Sequence, residues 1–333
     1  MLYKDLIYGD VKIDEPVVLE LINSSPLQRL KEIDQAGYKP MWVKPELKID
    51  PYENSRLAHS IGVYLLLRKY GAPLEEQIAG LIHDVSHSAF SHCIDYVLAS
   101  GSEKEHSHQD NIFEDFVKNS EISRIIKKYG LNLDYILDDK NFPLKEKDLP
   151  DLCADRIDYS LRTAVVFEEI NKEDVNYFLD NLMAQNSEWV FKNLESARKF
   201  SEIFLKLNRE YYAGFPSALM FRTVGDYLKY ALEKDYVEEK DFYTTDAEVL
   251  SKIEKYLDKD EKLKLLFDRM NNKTKIINDP NDYDVKVYCK SRIVDPLLLQ
   301  EEKPIRLSSV FREWGEIVKK ESVPKEYFLK FSK

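Results

Sequence analysis

Apolar positions recur at helical spacing through most of the chain. Residues 57 to 70 are mostly apolar and stop at Tyr70-Gly71, a C-terminal cap signal that predicts a helix ending there. Pro73 stands where the next helix would begin. Leu74, Ile78, Leu81, Ile82 and Val85 then mark one buried face at i, i+4, i+7, i+8 and i+11. Phe90, Ile94, Val97 and Leu98 continue the pattern and Gly101 closes it. Further helices are predicted around Ile112, Phe113, Phe116 and Val117, and around Ile157, Leu161 and Val165, with one or two long helices over 194–233. The tail differs: the turn cluster Asn278-Asp279-Pro280-Asn281-Asp282 precedes the alternating run Asp284-Val285-Lys286-Val287-Tyr288, which reads as a strand. The expected fold is mainly α, with residues 1–235 as the core domain and 236–333 as a small C-terminal α+β lobe.

Composition narrows the function classes. Glycine (10) and proline (13) are scarce in the 333 residues, which argues against a Gly-rich phosphate loop and a turn-dense β-sandwich. A net charge of −11 makes non-specific nucleic-acid binding unfavourable, while a small anionic substrate is still open to a locally positive pocket. The longest apolar run, Ile61 to Leu67, falls far short of the ~20 residues a bilayer span needs. The first ten residues lack a signal-peptide pattern, and Cys93, Cys153 and Cys289 are isolated. The expectation is a cytoplasmic protein with reduced, buried thiols.

Histidine placement is the strongest chemical signal. His59, His83, His87, His92, His106 and His108 are all six histidines of the chain, and they fall within 50 residues. Random placement gives such clustering with odds on the order of 10⁻³ or less, the false-positive rate a motif claim should carry. His59, the pair His83-Asp84, and Asp155 come from three different predicted helices, the convergence a divalent cation needs. Imidazole nitrogen with carboxylate oxygen suits one ion of Mn, Fe, Co, Ni or Zn, with Mg also admissible. The absence of cysteine from this set argues for an open, catalytic site. His92 and Asp95 share a helix face at i, i+3, making an oriented imidazole for proton handling. His106 and His108 compete for one further role, and the spacing to Phe113 and Phe116 favours His108. Asp155, Tyr159 and Arg162 fall at i, i+4 and i+7, a stripe offering a ligand, a hydroxyl and a guanidinium together. Arg56 and Arg156 are candidate phosphate contacts.

These motifs resemble the HD-domain superfamily, in particular its deoxynucleoside triphosphate triphosphohydrolase branch. Ser25-Pro26-Leu27-Gln28-Arg29-Leu30-Lys31 with Asp34-Gln35-Ala36-Gly37 is similar to the segment PxFQRLRxIKQLG. Ser55-Arg56-Leu57-Ala58-His59-Ser60-Ile61-Gly62-Val63 is similar to RFEHSLGV, and His83 through His92 to HDLGHGPFSH. Asp155-Arg156-Ile157-Asp158-Tyr159 resembles the late aspartate motif, and Arg292-Ile293-Val294-Asp295-Pro296 the C-terminal lobe. The resemblance implies His59, His83, Asp84 and Asp155 as metal ligands. It implies His92, Asp95 and His108 as catalytic groups, Gln35 and Tyr159 as sugar contacts, Arg56 and Arg156 as phosphate contacts, and Tyr212 as a pocket tyrosine. It also implies a nucleotide substrate, a dNTP, cleaved to deoxynucleoside and triphosphate; a homo-oligomer is one assembly open to it. Thr163 stands where the family has an acidic sugar contact, and Phe215 near an expected polyphosphate-binding lysine. Ser86, Gln109, Asn23 and Lys31 are further departures from the pattern. A nucleoside monophosphatase and a non-catalytic nucleotide-binding module are the alternative readings.

Overall fold

The computed structural model describes residues 1–38, 42, 44 and 46–332. An N-terminal hairpin, β1 (Leu2–Asp5) and β2 (Gly9–Lys12), leads into α1 (Pro16–Ile22) and α2 (Ser25–Arg29). Two longer helices follow, α3 (Arg56–Lys69) and α4 (Leu74–Ile82). Every residue of α3 from Arg56 to Leu67 is buried, so it is a central helix, apolar nearly all round, packed between α4 and α8 (Ala154–Val166). Ser55 caps its N-terminus by accepting from the Ala58 amide at 3.2 Å. Between α4 and α8 run α5 (His108–Asn119), α6 (Glu121–Lys128) and α7 (Leu133–Leu137).

After α8 come α9 (Lys172–Asp180), β3 (Leu182–Gln185), β4 (Glu188–Phe191), α10 (Leu194–Leu207) and α11 (Phe215–Glu233). The expected long helices over 194–233 are thus two, separated by a wide π turn at Asn208–Tyr212. The remaining chain supplies α12 (Asp246–Ile253), α13 (Glu261–Met270), β5 (Ile276–Asn278), β6 (Val285–Cys289), β7 (Leu297–Gln300), β8 (Lys303–Arg306), α14 (Leu307–Val310), α15 (Arg312–Glu321) and β9 (Lys325–Phe331). β7 joins β4 in parallel to make the sheet β3-β4-β7-β8, and β5-β9-β6 form a second, antiparallel sheet. The fold is mainly helical with a small strand-bearing C-terminal part, as the sequence predicts. The proposed division at residue 236 falls between α11 and a 3₁₀ turn at Glu239–Tyr243. Across it, Val224 and Leu228 of α11 share a core with Leu263, Val287 and Leu329.

One predicted helix takes another form. The stretch from Phe90 makes a 3₁₀ turn, Ser91–Tyr96, because Phe90 and Ser91 adopt left-handed backbone angles (φ 60° and 43°). The cause is tertiary. The Ala89 amide donates to Phe242 O at 2.7 Å and the Phe90 amide to Asp246 Oδ1 at 2.7 Å, so neither continues a helical ladder.

Candidate metal centre

α3, the C-terminal end of α4 and the first turn of α8 deliver His59, His83-Asp84 and Asp155 to one place. Single ligand atoms of His59, His83 and Asp155 lie within 4.8 Å of one another. His59 Nε2 is 2.8 Å from Asp155 Oδ1, and His83 Nε2 is 3.4 Å from the same oxygen. Asp84 stands at the edge: its Oδ1 is 3.5 Å from His83 Nε2, and its Oδ2 is 3.9 Å from His59 Nε2 while accepting from Arg56 Nη1 at 2.7 Å.

Both imidazoles are held in the tautomer a metal requires. Gly80 O can only accept, so His83 Nδ1, 2.7 Å away, donates and Nε2 carries the lone pair. Asp158 Oδ1, 2.8 Å from His59 Nδ1, does the same for His59. His83 Nε2 is buried with no hydrogen-bond partner among the described residues. A lone pair buried without a donor beside two carboxylates and a second imidazole fits a divalent cation.

The electrostatics agree. Burial by itself lowers His59, but hydrogen bonds to Asp155 and Asp158 outweigh it and raise it to about 9. A metal entering the centre therefore displaces a proton. Burial opposes ionisation of Asp84, yet Arg56 and then His83 hold it well below the usual carboxylate range. His87 is lowered to about 4 by burial and by Arg56.

Asp158 is the part that sequence reasoning missed. It is fully buried and also accepts from Tyr8 OH at 2.9 Å and from Arg162 Nε at 3.1 Å. Arg162, expected on the open stripe with Asp155 and Tyr159, instead lies buried between Asp158 and Asp5, whose Oδ2 is 3.1 Å from Arg162 Nη2. The i, i+3 spacing of Asp155 and Asp158 and the i, i+4 spacing of Asp158 and Arg162 were the available signals. Gly62 makes room for this pair: a Cβ there would sit 2.1 Å from Asp158 Oδ2 and 2.4 Å from Arg162 Nη2.

Beyond the candidate ligands the imidazoles continue in a row. His87 and His92 have ring centroids 5.2 Å apart, and so do His92 and His106. His92 Nδ1 is 3.7 Å from Asp95 Oδ2. His108 reaches Asp95 through its backbone, its amide donating to Oδ1 at 3.0 Å. Its ring turns elsewhere, with Nδ1 2.9 Å from Ser100 Oγ and Nε2 3.3 Å from Tyr243 OH. The ring facing His92 belongs to His106.

Tyr159 lies beside His59 (centroids 6.4 Å apart) and meets Tyr212 edge to face at 5.5 Å. Gln35 is anchored by its amide to Asn54 O at 2.9 Å, and its Oε1 is buried without a partner among the described residues. Arg56 and Arg156 spend part of their donor capacity inside the protein. Arg56 Nε donates to Ser91 Oγ at 3.1 Å, and Arg156 Nη1 to Asp151 O at 2.6 Å and Lys147 O at 3.1 Å. Arg56 Nη2 and Arg156 Nε are left without partners among the described residues. The C-terminal part adds two cations that spacing did not flag. Burial lowers His92 and His106 and raises Tyr159 and Tyr212, Arg292 adds a smaller lowering influence on all four, and Lys290 feels both Arg292 and Arg156. No helix among the described residues is long and apolar enough to cross a membrane.

Comparison with known proteins follows the same outline. The family model described as "HD domain" matches residues 56–163. An uncharacterized protein, YdhJ, of Bacillus subtilis (strain 168) is 36% identical over 316 residues, covering 94% of each chain. The metal-dependent phosphohydrolase cns2 of Cordyceps militaris is 30% identical over 324 residues, 95% of this chain and 90% of its own. The mouse deoxynucleoside triphosphate triphosphohydrolase SAMHD1 is 31% identical over 149 residues, 39% of this chain and 22% of its own. The crystal structure of a phosphohydrolase from Bacteroides thetaiotaomicron shares the fold, with a TM-score of 0.72 over the full length of both chains at 16% identity. A likeness that runs the length of both chains, over a centre whose ligand atoms already converge, places this chain in the HD-domain family of metal-dependent phosphohydrolases.

Proposed function

We propose that this chain hydrolyses a deoxynucleoside triphosphate to deoxynucleoside and triphosphate. The observation that carries the reading is the meeting of three features. The His59/His83/Asp155 centre adjoins an aromatic wall of Tyr159 and Tyr212, and the cations Arg292, Lys290 and Arg156 stand within electrostatic reach of that region. Base and sugar need the first kind of surface and phosphates the second.

His59, His83, Asp84 and Asp155 would hold the ion. A bound divalent cation polarises a phosphoryl oxygen and lowers the pKa of coordinated water. The chain's own residues do the rest. Asp158 and Gly80 O hold the two imidazoles in ligand form. His92 is the partly exposed member of the histidine–aspartate group, with 19% of its side chain accessible; burial and then Arg56 hold it well below the usual histidine range, so as a neutral ring it is placed to donate a hydrogen bond to the departing oxygen. Asp95 stands beside it, held by the His108 amide. Gln35 and Tyr159 are assigned to the sugar, Tyr212 to the nucleoside wall, and Arg56 Nη2 and Arg156 Nε to phosphate oxygens. We place the reaction in the cytoplasm, on the isolated, buried cysteines.

A monophosphate substrate is the second reading. It is favoured by the internal hydrogen bonds of Arg56 and Arg156, by Thr163 in place of a carboxylate, and by Phe215 near the position of an expected lysine. One lost charged contact costs about 1.5–3 kcal/mol, roughly 10- to 100-fold, which blurs triphosphate preference without abolishing it. Weaker discrimination against ribonucleotides follows from Thr163. The test is chromatography of the products of dGTP, GTP and dGMP with Mn²⁺. Triphosphate release from dGTP supports the first reading, turnover of dGMP alone supports the second, and no turnover of any nucleotide favours a binding module.

A further inference from the structure

Behind His92 lies a second group of potential ligands. One ligand atom from each of His92, Asp95 and His106 falls within 4.8 Å of the others, with His92 Nδ1 3.7 Å from Asp95 Oδ2. All four atoms concerned, His92 Nδ1, Asp95 Oδ2 and both ring nitrogens of His106, are buried and make no hydrogen bond to any described residue. Asp95 and His106 are each 3% exposed. Four buried polar atoms without partners among the described residues, gathered in one place, call for a guest, because each left bare costs about 1–3 kcal/mol.

The pocket is built. Asp95 Oδ1 accepts from the amides of Ser102 and His108, at 3.2 and 3.0 Å, which fixes the carboxylate and leaves Oδ2 for the histidines. The same loop carries His106, in a left-handed backbone conformation (φ 53°), and packs it edge-on against Phe221 at 4.9 Å. The loop lies close on the turn at Gly101, where a Cβ would meet Asp95 Cα at 2.6 Å.

We propose that His92, Asp95 and His106 form a second divalent-cation site, beside the first and distinct from it. Ligands about 2.0–2.2 Å from a shared ion stand no more than roughly 4.4 Å apart, so a few tenths of an ångström of side-chain movement complete the set. Two imidazoles and one carboxylate select a borderline transition ion such as Zn²⁺, Co²⁺ or Ni²⁺ over Mg²⁺ or Ca²⁺. An ion on Nδ1 also holds His92 as the Nε2–H tautomer, a hydrogen-bond donor. The assignment is independent of which phosphoester is cleaved.

The test counts ions. Metal-stripped full-length protein is brought to equilibrium dialysis against Co²⁺, and bound metal per folded chain is measured by elemental analysis, with circular dichroism confirming the fold. Wild type should bind two ions, His106→Ala one, His83→Ala one and the double variant none; His106→Gln, which preserves volume, replaces any His106→Ala that fails to fold. Saturation of wild type at a single ion, as expected if a water molecule satisfies these groups, overturns the proposal, and so does a His106 variant that still binds two. If His83→Ala keeps both ions, the first centre is misassigned while the His106 comparison still judges the second.

Discussion

Asp158→Asn separates ligand orientation from bulk stability at the metal centre. In the wild type the Asp158 carboxylate accepts from His59 Nδ1 (2.8 Å), Tyr8 OH (2.9 Å) and Arg162 Nε and Nη2 (3.1 and 3.3 Å). The asparagine keeps the shape and one acceptor oxygen but turns the other into a donor facing donors. Losing the carboxylate behind a ligating histidine costs about 10- to 100-fold in metal affinity, or roughly 1.4–2.8 kcal/mol at 1.4 kcal/mol per decade. One charged hydrogen bond to Arg162 is lost as well, about 1.5–3 kcal/mol of stability. Asp5 still neutralises Arg162 at 3.1 Å, so the fold survives. Asp158→Ala is less informative: breaking a buried pair costs about 3–5 kcal/mol of the ~5–15 that hold a domain together. The assay is metal dissociation measured by chelator competition, run beside thermal unfolding. A lowered Tm with a metal Kd within twofold of wild type would refute the orienting role and leave Asp158 a purely structural residue.

Four further outcomes are expected. His83→Ala and Asp155→Ala should lose the ion at the first centre and nearly all activity while staying folded; undiminished occupancy of that centre by elemental analysis would show the ligand assignment to be wrong. His92→Ala should keep the ion at His59, His83 and Asp155 yet lower kcat by ~10²–10⁴; steady-state kinetics that match wild type would remove it from the reaction. Gly62→Ala should lower Tm and weaken metal binding together, since its Cβ would lie 2.1 Å from Asp158 Oδ2 and overpacking costs about 1–3 kcal/mol; an unchanged Tm counts against the close packing. Burial raises Asp246 to about 7, above the roughly 3.9 of an unfolded chain, so its contribution is full below about pH 4 and is lost as pH rises through about 7. Urea midpoints should therefore fall between pH 5.5 and 8, and fall less in Asp246→Asn; equal slopes would contradict this.

The helices at 56–69, 74–82 and 154–166 were legible because a buried helix face repeats every three to four residues, and a cap or a proline marks its ends. The convergence of His59, His83 and Asp155 was legible for a related reason: chemistry restricts candidate ligands to a few residue types, and all six histidines crowd into one stretch. What depended on tertiary structure is of another kind. Phe90 and Ser91 leave the helical pattern because the amides of Ala89 and Phe90 bond to Phe242 and Asp246 of a distant segment. Arg162 turns inward because Asp5, 157 residues away, completes its charge pairing with Asp158. His106 rather than His108 faces His92 because the loop's two amides clamp Asp95 and Ser100 and Tyr243 take the His108 ring. Local periodicity records which face of an element is buried. It carries no information about which remote partner meets that face, and the partner decides the hydrogen bonds, the tautomers and the charges on which the chemistry runs.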